Sequence, residues 1–417
     1  MANTLKFGNG QWGTKVGSAL AYNDEGGNFK PLPFNFTRST SGTRVNKEGL
    51  IEVVTNNKPR IDFLNDSNGA LLLEPARTNL ITYSQSVIDG WVSSSNITRT
   101  DNQAISPDGA FTSGHITSTS DSSYGSIRKT ISVSANSTYT ISLFVKKEVS
   151  ETYYMGVGFV FSGGTTDVGY GIIDAVNGTG YSADPSIPFT IKVDDYGTYW
   201  RFSFTGTDSG SNNSLVAYIY STLSKNGTSV EAGLGSTRTI WGAQLEAGSY
   251  ATSYIPTQGA ISTKVAEVCN DAGNSQIFND SEGVLYAEIN TSFEALNGVK
   301  AVSVQYDGNN YVAIYFRDNN KLSARVVGSG NVTQVDADYT TNIFYKIAVS
   351  YNSTNVKFYV NGIQVDIDTT NTTPTLLNKL SFDRGGVATT NMEGKVRSVK
   401  YFPTALNDEE LENLTTI

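Results

Sequence analysis

The sequence predicts an all-β protein with two antiparallel β-sandwich (jelly-roll) domains after an irregular N-terminal segment. Only 17% of the 417 residues are charged, and the polar content comes from Asn, Ser, Thr and Gly, which suit the turns between strands. The chain has 23 Tyr, 19 Phe and 4 Trp, and aromatic and β-branched residues favour pleated strands. Runs of Ala, Leu, Glu and Lys at helical spacing are nearly absent.

The N-terminal part, residues 1–79, is broken by Gly and Pro into short pieces. It is too broken to form a core of its own, yet it contains apolar pieces such as LPFNF and GALLLEP. Such pieces must pack against another domain or another subunit. We therefore expect residues 1–79 to be an attachment and oligomerisation segment.

Residues 80–256 alternate in strand fashion, with turn residues between the apolar runs. In the segment STYTISLFVKKEV, alternate positions place Tyr139, Ile141, Leu143 and Val145 on one face. Strands recurring at short intervals over such a length are typical of a sandwich or jelly roll. This part is predicted to be the first sandwich.

Residues 257–279 are predicted to be a connector, and residues 280–417 a second sandwich. The turn at 307–310 should join two strands, and Asn361-Gly362 favours a type I′ hairpin. Near the C-terminus, Asn407 and Glu410 have the spacing of a capping box, which predicts one short helix.

Several of these segments resemble tailed-bacteriophage structural proteins. Residues 38–63 and 69–84 are similar to a segment that recurs in phage virion proteins before sugar-binding-like sandwiches. Residues 239–257, TIWGAQLEAGSYATSYIPT, resemble the closing strand of carbohydrate-binding-module-like jelly rolls in the same proteins. With NLITYSQSVIDGWV and YTISLFVKK, this resemblance covers most of residues 79–257.

The C-terminal part resembles the concanavalin A-like, laminin G-like sandwich. The matching segments are FYKIAVSYNSTNVKFYVNGIQV and GKVRSVKYFPTALNDEELENLT. Together the resemblances imply a virion fibre or decoration protein, on head or tail, made in the bacterial host cytoplasm and located in the virion. They also imply a homotrimer, attachment to other virion proteins through residues 1–79, and adhesion of the sandwiches to glycans.

Composition excludes several other functions. The net charge of −9 argues against a nucleic-acid-binding surface, and no apolar run is long enough to insert in a membrane. The N-terminus lacks an apolar segment, so no signal peptide is expected. The single cysteine, Cys269, allows no intrachain disulfide.

Catalysis is not expected. A Ser–His–Asp triad would depend on His115, the one histidine. Glycoside cleavage needs two carboxylates across a cleft, and Asp366 and Asp368 have the spacing of one strand face but lack a third acid. We find no phosphate-binding loop, dinucleotide fingerprint or nucleophile elbow. The chain is therefore predicted to be a non-enzyme without a cofactor.

Sugar binding by a sandwich requires exposed aromatic rings, on which the apolar face of a pyranose stacks. The candidates for glycan contact are Trp91, Tyr153, Tyr154 and Tyr199. Trp200 and Trp241 lie in alternating strands, where burial in the core is the more common role of a tryptophan.

A structural calcium ion is the remaining cofactor to consider, because such sandwiches hold calcium through carboxylates and carbonyls. Asp121, Asp307 and Asp318 offer oxygen donors in turns, although aspartate is also a default turn residue. Two alternatives to adhesion stay open: a purely structural virion decoration or scaffold protein without a ligand, and a polysaccharide depolymerase.

Overall fold

A computed structural model describes residues 4–20, 22–25, 28–31, 33–150, 153–183, 186–223, 234–291, 299–317, 320–328, 331–369 and 372–417, with the main chain alone for residues 22–25 and 28–31. The strands of the N-terminal part are short: β1 (Leu5–Gly8), β2 (Gly13–Lys15), β3 (Ser18–Leu20), β4 (Tyr22–Glu25), β5 (Asn28–Pro31), β6 (Phe34–Thr37), β7 (Gly42–Val45), β8 (Ile51–Val54), β9 (Arg60–Asp62), β10 (Ala70–Leu73) and β11 (Arg77–Asn79).

Longer strands follow in the middle of the chain: β12 (Val92–Ser93), β13 (Ile97–Ala104), β14 (Ser113–Ser118), β15 (Ser126–Ser132), β16 (Thr138–Lys146), β17 (Tyr154–Ser162), β18 (Asp167–Asp174), β19 (Thr179–Ser182), β20 (Thr190–Tyr196), β21 (Tyr199–Thr207), β22 (Ser214–Leu223), β23 (Thr237–Ala247) and β24 (Ser262–Lys264).

The C-terminal part adds β25 (Val268–Asn270), β26 (Gly283–Asn290), β27 (Lys300–Asp307), β28 (Asn310–Arg317), β29 (Lys321–Gly328), β30 (Asn331–Asp338), β31 (Tyr345–Tyr351), β32 (Val356–Val360), β33 (Ile363–Asp368), β34 (Lys379–Ser381), a 3-10 helix (Ala388–Thr390), β35 (Gly394–Phe402) and α1 (Asp408–Thr415). Among the described residues, no helix combines the length and hydropathy needed to cross a membrane.

The chain divides into two compact units, and their boundaries correct the predicted ones. The first unit comprises Met1–Ser41, Val54–Ala76 and Val265–Ile417, and the second comprises Gly42–Val53 and Arg77–Lys264. The N-terminal segment is not a separate unit, because β1 and β10 both pair with β35, and β6 pairs with β25. The predicted boundary at 79 lies close to the change of unit after Ala76, whereas the predicted connector 257–279 is divided between the units after Lys264.

The second unit is a sandwich of two six-stranded sheets. One sheet has the order β12-β15-β22-β17-β18-β19, and the other has the order β13-β14-β23-β16-β21-β20. The alternation predicted for β16 is confirmed, since Tyr139, Ile141, Leu143 and Val145 all lie in the core between the sheets.

The first unit contains a ten-stranded sheet and a five-stranded sheet of order β30-β29-β28-β27-β34. Its core draws on both ends of the chain: Phe7 and Phe34 pack with their ring centroids 4.6 Å apart, and Phe34 contacts Phe382 at 4.9 Å. Every ladder between the strands named above is antiparallel. The all-β sandwich prediction is confirmed.

The short-range predictions in the first unit are also confirmed. Asn361 and Gly362 have φ angles of 50° and 82°, as a type I′ turn requires. At the start of α1, the Asn407 side chain accepts from the Glu410 main-chain N–H, and the Glu410 carboxylate accepts from the Asn407 N–H. Both motifs depend only on residues at most three positions apart in the sequence.

A buried cluster of ion-paired side chains links the N-terminal strands to the rest of the first unit. The Glu267 carboxylate accepts from Arg38 Nη1 at 2.8 Å and from Arg60 Nε at 2.6 Å. Arg60 also pairs with Glu74 at 2.8 Å, and the side chains of both arginines and of Glu267 are fully buried. Arg38, Arg60 and Glu74 all lie within residues 1–79, so the cluster gives this segment a structural role.

Candidate functional site

Tyrosines line the outer face of one sheet of the second unit. Tyr218 on β22 lies directly opposite Arg128 on β15 and Gly158 on β17, and Gly158 lies opposite Tyr170 on β18. Directly opposed residues of antiparallel strands point to the same side of a sheet. The next row contains Tyr220, Gly156, Ile172 and Tyr181. Together with two neighbours, these tyrosines form what we call the tyrosine face: Tyr124, Tyr154, Tyr170, Tyr181, Tyr218 and Tyr220.

Two glycines in β17 make the centre of the tyrosine face shallow. A Cβ atom at Gly158 would lie 3.0 Å from Cε2 of Tyr220 and 3.4 Å from Cδ1 of Tyr170. A Cβ atom at Gly156 would lie 2.6 Å from Cδ2 of Leu223. The side chains of the neighbouring strands therefore lean over β17, and the alternating glycines leave them room.

The rings of the tyrosine face contact one another around Tyr220. Tyr218 stacks on Tyr220 with centroids 5.4 Å apart and planes 8° apart. Tyr124 meets Tyr220 edge-on at 5.3 Å, and Tyr170 lies 6.1 Å away. Burial raises the pKa of Tyr220, and the adjacent Tyr170, Tyr124 and Tyr218 raise it further. Tyr220 is thus the neutral, buried centre of the face.

The rings around Tyr220 are accessible. Tyr124 is 48% exposed and Tyr181 is 37% exposed, while Tyr154, Tyr170 and Tyr218 are half-buried. The Arg128 guanidinium lies 6.0 Å from the Tyr218 ring, on the same side of the sheet. The face therefore combines apolar ring surface, phenol hydroxyls and one cation, the groups that bind the faces and hydroxyls of a sugar.

The four residues predicted to contact glycan have different positions. Tyr154 is part of the tyrosine face and packs against Ile172, Tyr220 and Leu223. Tyr153, half-buried just before β17, accepts a hydrogen bond from Arg238 through its carbonyl group. Glycan contact at Tyr154 remains a prediction, and its side chain lies on the tyrosine face.

Trp91 and Tyr199 require correction, because both side chains are buried, with 7% and 1% exposed. Trp91 donates from Nε1 to the Ser86 carbonyl at 3.0 Å, and the Tyr199 hydroxyl donates to the Ile105 carbonyl at 2.9 Å. Trp91 lines a depression with about 10 Å³ of free space, close to the least that one water molecule needs. Neither residue offers a ring face to a sugar.

The other two tryptophans of the second unit also contact neighbouring side chains. Trp241 is buried and donates from Nε1 to Thr112 Oγ1 at 3.0 Å. Trp200 is half-buried, and the Lys147 ammonium lies 3.7 Å from its ring centroid. Both tryptophan side chains therefore already have partners within the second unit.

Sequence reasoning missed Tyr218, Tyr220 and Tyr170, although a signal was present. Tyrosines two residues apart in SLVAYIYSTL share one strand face, and glycines two residues apart in β17 share another. Only the sheet order, with β17 between β22 and β18, brings these faces together.

The structure describes Asp121 and Asp307, two of the three aspartates considered for calcium, and also His115. In the described ranges, no three His, Cys, Asp or Glu side chains converge to hold a metal ion. The Asp307 carboxylate accepts from the Asn309 N–H at 2.9 Å, as in an ordinary turn, and Asp318 lies outside the described residues. His115 is half-buried, and burial lowers its pKa.

A family model matches part of the first unit. Residues 287–412 match the model described as the concanavalin A-like lectin/glucanases superfamily. The C-terminal part of the chain is therefore similar to concanavalin A-like, laminin G-like domains. No curated protein matches the chain.

The chain is structurally similar to carbohydrate-binding domains, at low scores. The CBM40 domain of the IT-sialidase from Ruminococcus gnavus, bound to α2,3-sialyllactose, is 12% identical; the match covers 35% of this chain and 93% of that domain, with a TM-score of 0.30. Domain 4 of a GH43 extracellular arabinanase from Geobacillus stearothermophilus, in complex with arabinotriose, is also 12% identical, with 40% and 82% covered and a TM-score of 0.31.

Proposed function

We propose that this protein is an adhesion protein that binds glycans through the tyrosine face of its second unit. The observation that carries the proposal is the row of accessible tyrosine rings over the glycines of β17, on the outer side of a sandwich. Folding gains little from exposed aromatic rings, whereas ligand binding requires them.

The chemistry of the face fits a saccharide better than a protein or a lipid. Ring faces stack on the apolar side of a pyranose, and the hydroxyls of Tyr124 and Tyr218 make no hydrogen bond within the described residues. Arg128 is exposed and can donate to sugar hydroxyls or to a carboxylate. Because the face is shallow, we expect a single tyrosine face to bind a saccharide weakly.

The resemblance of residues 38–63 and 239–257 to phage virion proteins extends the proposal. We propose that the chain lies on the surface of a phage particle, as a head or tail fibre, with other virion proteins as partners and three copies per fibre. Many identical sites on one rigid particle raise avidity by about 10²–10⁴ when the geometry allows simultaneous contact. Weak single sites would then suffice for adhesion.

The test is a glycan array probed with the full chain displayed on beads, which restores multivalency. The variant Tyr170→Ala/Tyr218→Ala removes two rings from the face. Tyr306→Ala is the matched control, because Tyr306 is 43% exposed but lies on β27 in the first unit. We expect the double variant to lose at least tenfold in binding and Tyr306→Ala to bind as the unchanged chain does.

A further variant separates the contribution of the Tyr218 ring from that of its hydroxyl. Tyr218→Phe keeps the ring that stacks and removes only a hydroxyl, so it should retain most of the binding. An array without binding by the unchanged chain, or binding that the double variant retains, would overturn the proposal and favour a purely structural role. Shortening of the bound polysaccharide would instead indicate a depolymerase.

A further inference from the structure

A polar cleft of about 270 Å³ opens on the first unit. Its lining is made of Asn9, Asn65, Asp66, Ser67, Asn68, Gly69, Glu288 and Arg397. Six of these eight residues lie outside residues 287–412, so the match to the concanavalin A-like superfamily does not account for the cleft.

Arg397 organises the charged side of the cleft. Its Nε donates to Asp66 Oδ2 at 2.7 Å, and its Nη1 donates to Glu288 Oε1 at 3.3 Å. The guanidinium also lies 3.7 Å from the centroid of the Phe344 ring. Asp66 Oδ1 accepts from the Asn68 N–H at 3.1 Å, which closes the turn that carries the remaining polar groups. The three charges are held in place before any ligand arrives.

The uncharged side chains of the cleft are available for a ligand. Within the part of the chain that the structure describes, the side chains of Asn9, Asn65, Ser67 and Asn68 make no hydrogen bond. Asn9 and Asn65 have φ angles of 54° and 58°, in the left-handed region that asparagine tolerates better than most residues. The cleft is therefore lined by three side-chain amides and one hydroxyl that have no hydrogen-bond partner among the described residues.

These groups select the class of ligand. An amide both donates and accepts, as does a sugar hydroxyl, so the cleft matches a neutral polyhydroxylated molecule. Two carboxylates against one guanidinium disfavour an anion. A metal cation is disfavoured as well, because Arg397 already occupies the position between Asp66 and Glu288. The volume is slightly below the range of about 300–1,000 Å³ for drug-sized ligands, which suits one sugar ring.

We propose that this cleft binds a single neutral saccharide residue by its hydroxyl groups, without aromatic stacking. The site is separate from the tyrosine face and goes beyond the proposed function. Binding depends on Asn68, Ser67, Asn65 and Asn9, with Arg397 donating from the wall.

The experiment is saturation-transfer NMR on the full chain carrying Tyr170→Ala/Tyr218→Ala, so that the tyrosine face does not contribute. The probes are glucose, galactose, mannose and N-acetylglucosamine at millimolar concentration, with glucuronate as the anionic comparison. We expect transfer to at least one neutral sugar. Adding Ser67→Ala/Asn68→Ala should weaken its binding about 30-fold, which corresponds to about 2 kcal/mol for the loss of two hydrogen bonds.

The control is Asn309→Ala, which removes an exposed asparagine from another turn of the first unit. Binding of a neutral sugar that is lost with Ser67→Ala/Asn68→Ala and kept with Asn309→Ala supports the site. Absence of transfer from every neutral sugar, transfer to glucuronate alone, or transfer unaffected by Ser67→Ala/Asn68→Ala overturns it. None of these results depends on whether the tyrosine face binds glycans.

Discussion

The two sheets of the second unit differ in their outer faces. On the sheet that contains β16 and β23, Phe144 and Trp241 are fully or almost fully buried, and Tyr254 packs on Trp241 with ring centroids 4.5 Å apart. On the other sheet, Tyr124 and Tyr181 remain substantially exposed. One face is covered by the chain itself, whereas the other presents aromatic rings to solvent.

The covered face is closed by the segment that follows β23. Gln244 Oε1 accepts from the Ile255 N–H at 2.6 Å, and Glu246 Oε2 accepts from the Thr252 N–H at 3.0 Å. Asn79 Nδ2 donates to the Ile255 carbonyl at 2.9 Å. Residues 239–257 therefore link β23 to the segment that covers it, and the aromatic residues among them stabilise the fold.

The difference separates aromatic residues that serve folding from those available for recognition. Buried rings contribute stability in proportion to the area that they remove from water. Exposed rings contribute little, so their occurrence in a contiguous row needs another explanation.

The largest effect is expected from Trp241→Ala on the covered face. Removing a buried tryptophan should lower the free energy of unfolding of the second unit by about 3–5 kcal/mol. Tyr218→Ala on the open face should cost about 1 kcal/mol. Urea denaturation followed by circular dichroism compares the two variants, and equal losses would remove the distinction between the faces.

A pH-dependent effect is expected at Glu246. Burial raises the pKa of its carboxyl group, although hydrogen bonds from Thr252 and Gln244 oppose the rise. The folded chain then keeps the proton to a higher pH than the unfolded chain, so folding stability falls as pH rises from about 4.3 to the raised pKa. The loss is about 1.4 kcal/mol for each pH unit of that window.

The substitution Glu246→Gln should abolish this pH-dependent contribution to the free energy of unfolding. We expect the stability of the unchanged chain, relative to Glu246→Gln, to improve as pH is lowered from neutral towards the ordinary pKa of glutamate. Denaturation at a series of pH values measures the difference. A difference independent of pH would show that folding does not raise the pKa of Glu246.

A smaller effect is expected from Gly158→Ala in the floor of the tyrosine face. The new methyl group would lie 3.0 Å from Cε2 of Tyr220, so the rings must shift by a few tenths of an ångström. Glycan binding should weaken severalfold, while the unfolding free energy changes by about 1 kcal/mol. Gly308→Ala is the control, because the nearest atom to its Cβ is 3.8 Å away.

The smallest effect is expected from calcium. The Asp307 carboxylate is engaged in its own turn, so added calcium should leave the melting temperature unchanged. A saturable rise in melting temperature would instead indicate specific binding to the folded chain.

Local patterns predicted much of the fold. The alternation in β16, the Asn361-Gly362 turn and the cap of α1 depend on neighbours in sequence. The N-terminal strands could not be placed, because β1 pairs with β35, whose residues lie almost 400 positions later. Similarly, Tyr154 was recognised as a candidate, but Tyr218 and Tyr170 required knowledge of which strands flank Gly158.

The most direct test of glycan binding by the tyrosine face is hydroxyl-radical footprinting of the full chain with the best-binding oligosaccharide of the array. We predict that the ligand protects Tyr124, Tyr218 and Tyr170, while Tyr306 reacts equally with and without it. Protection confined to other residues, or no protection at a saturating ligand concentration, would contradict the account.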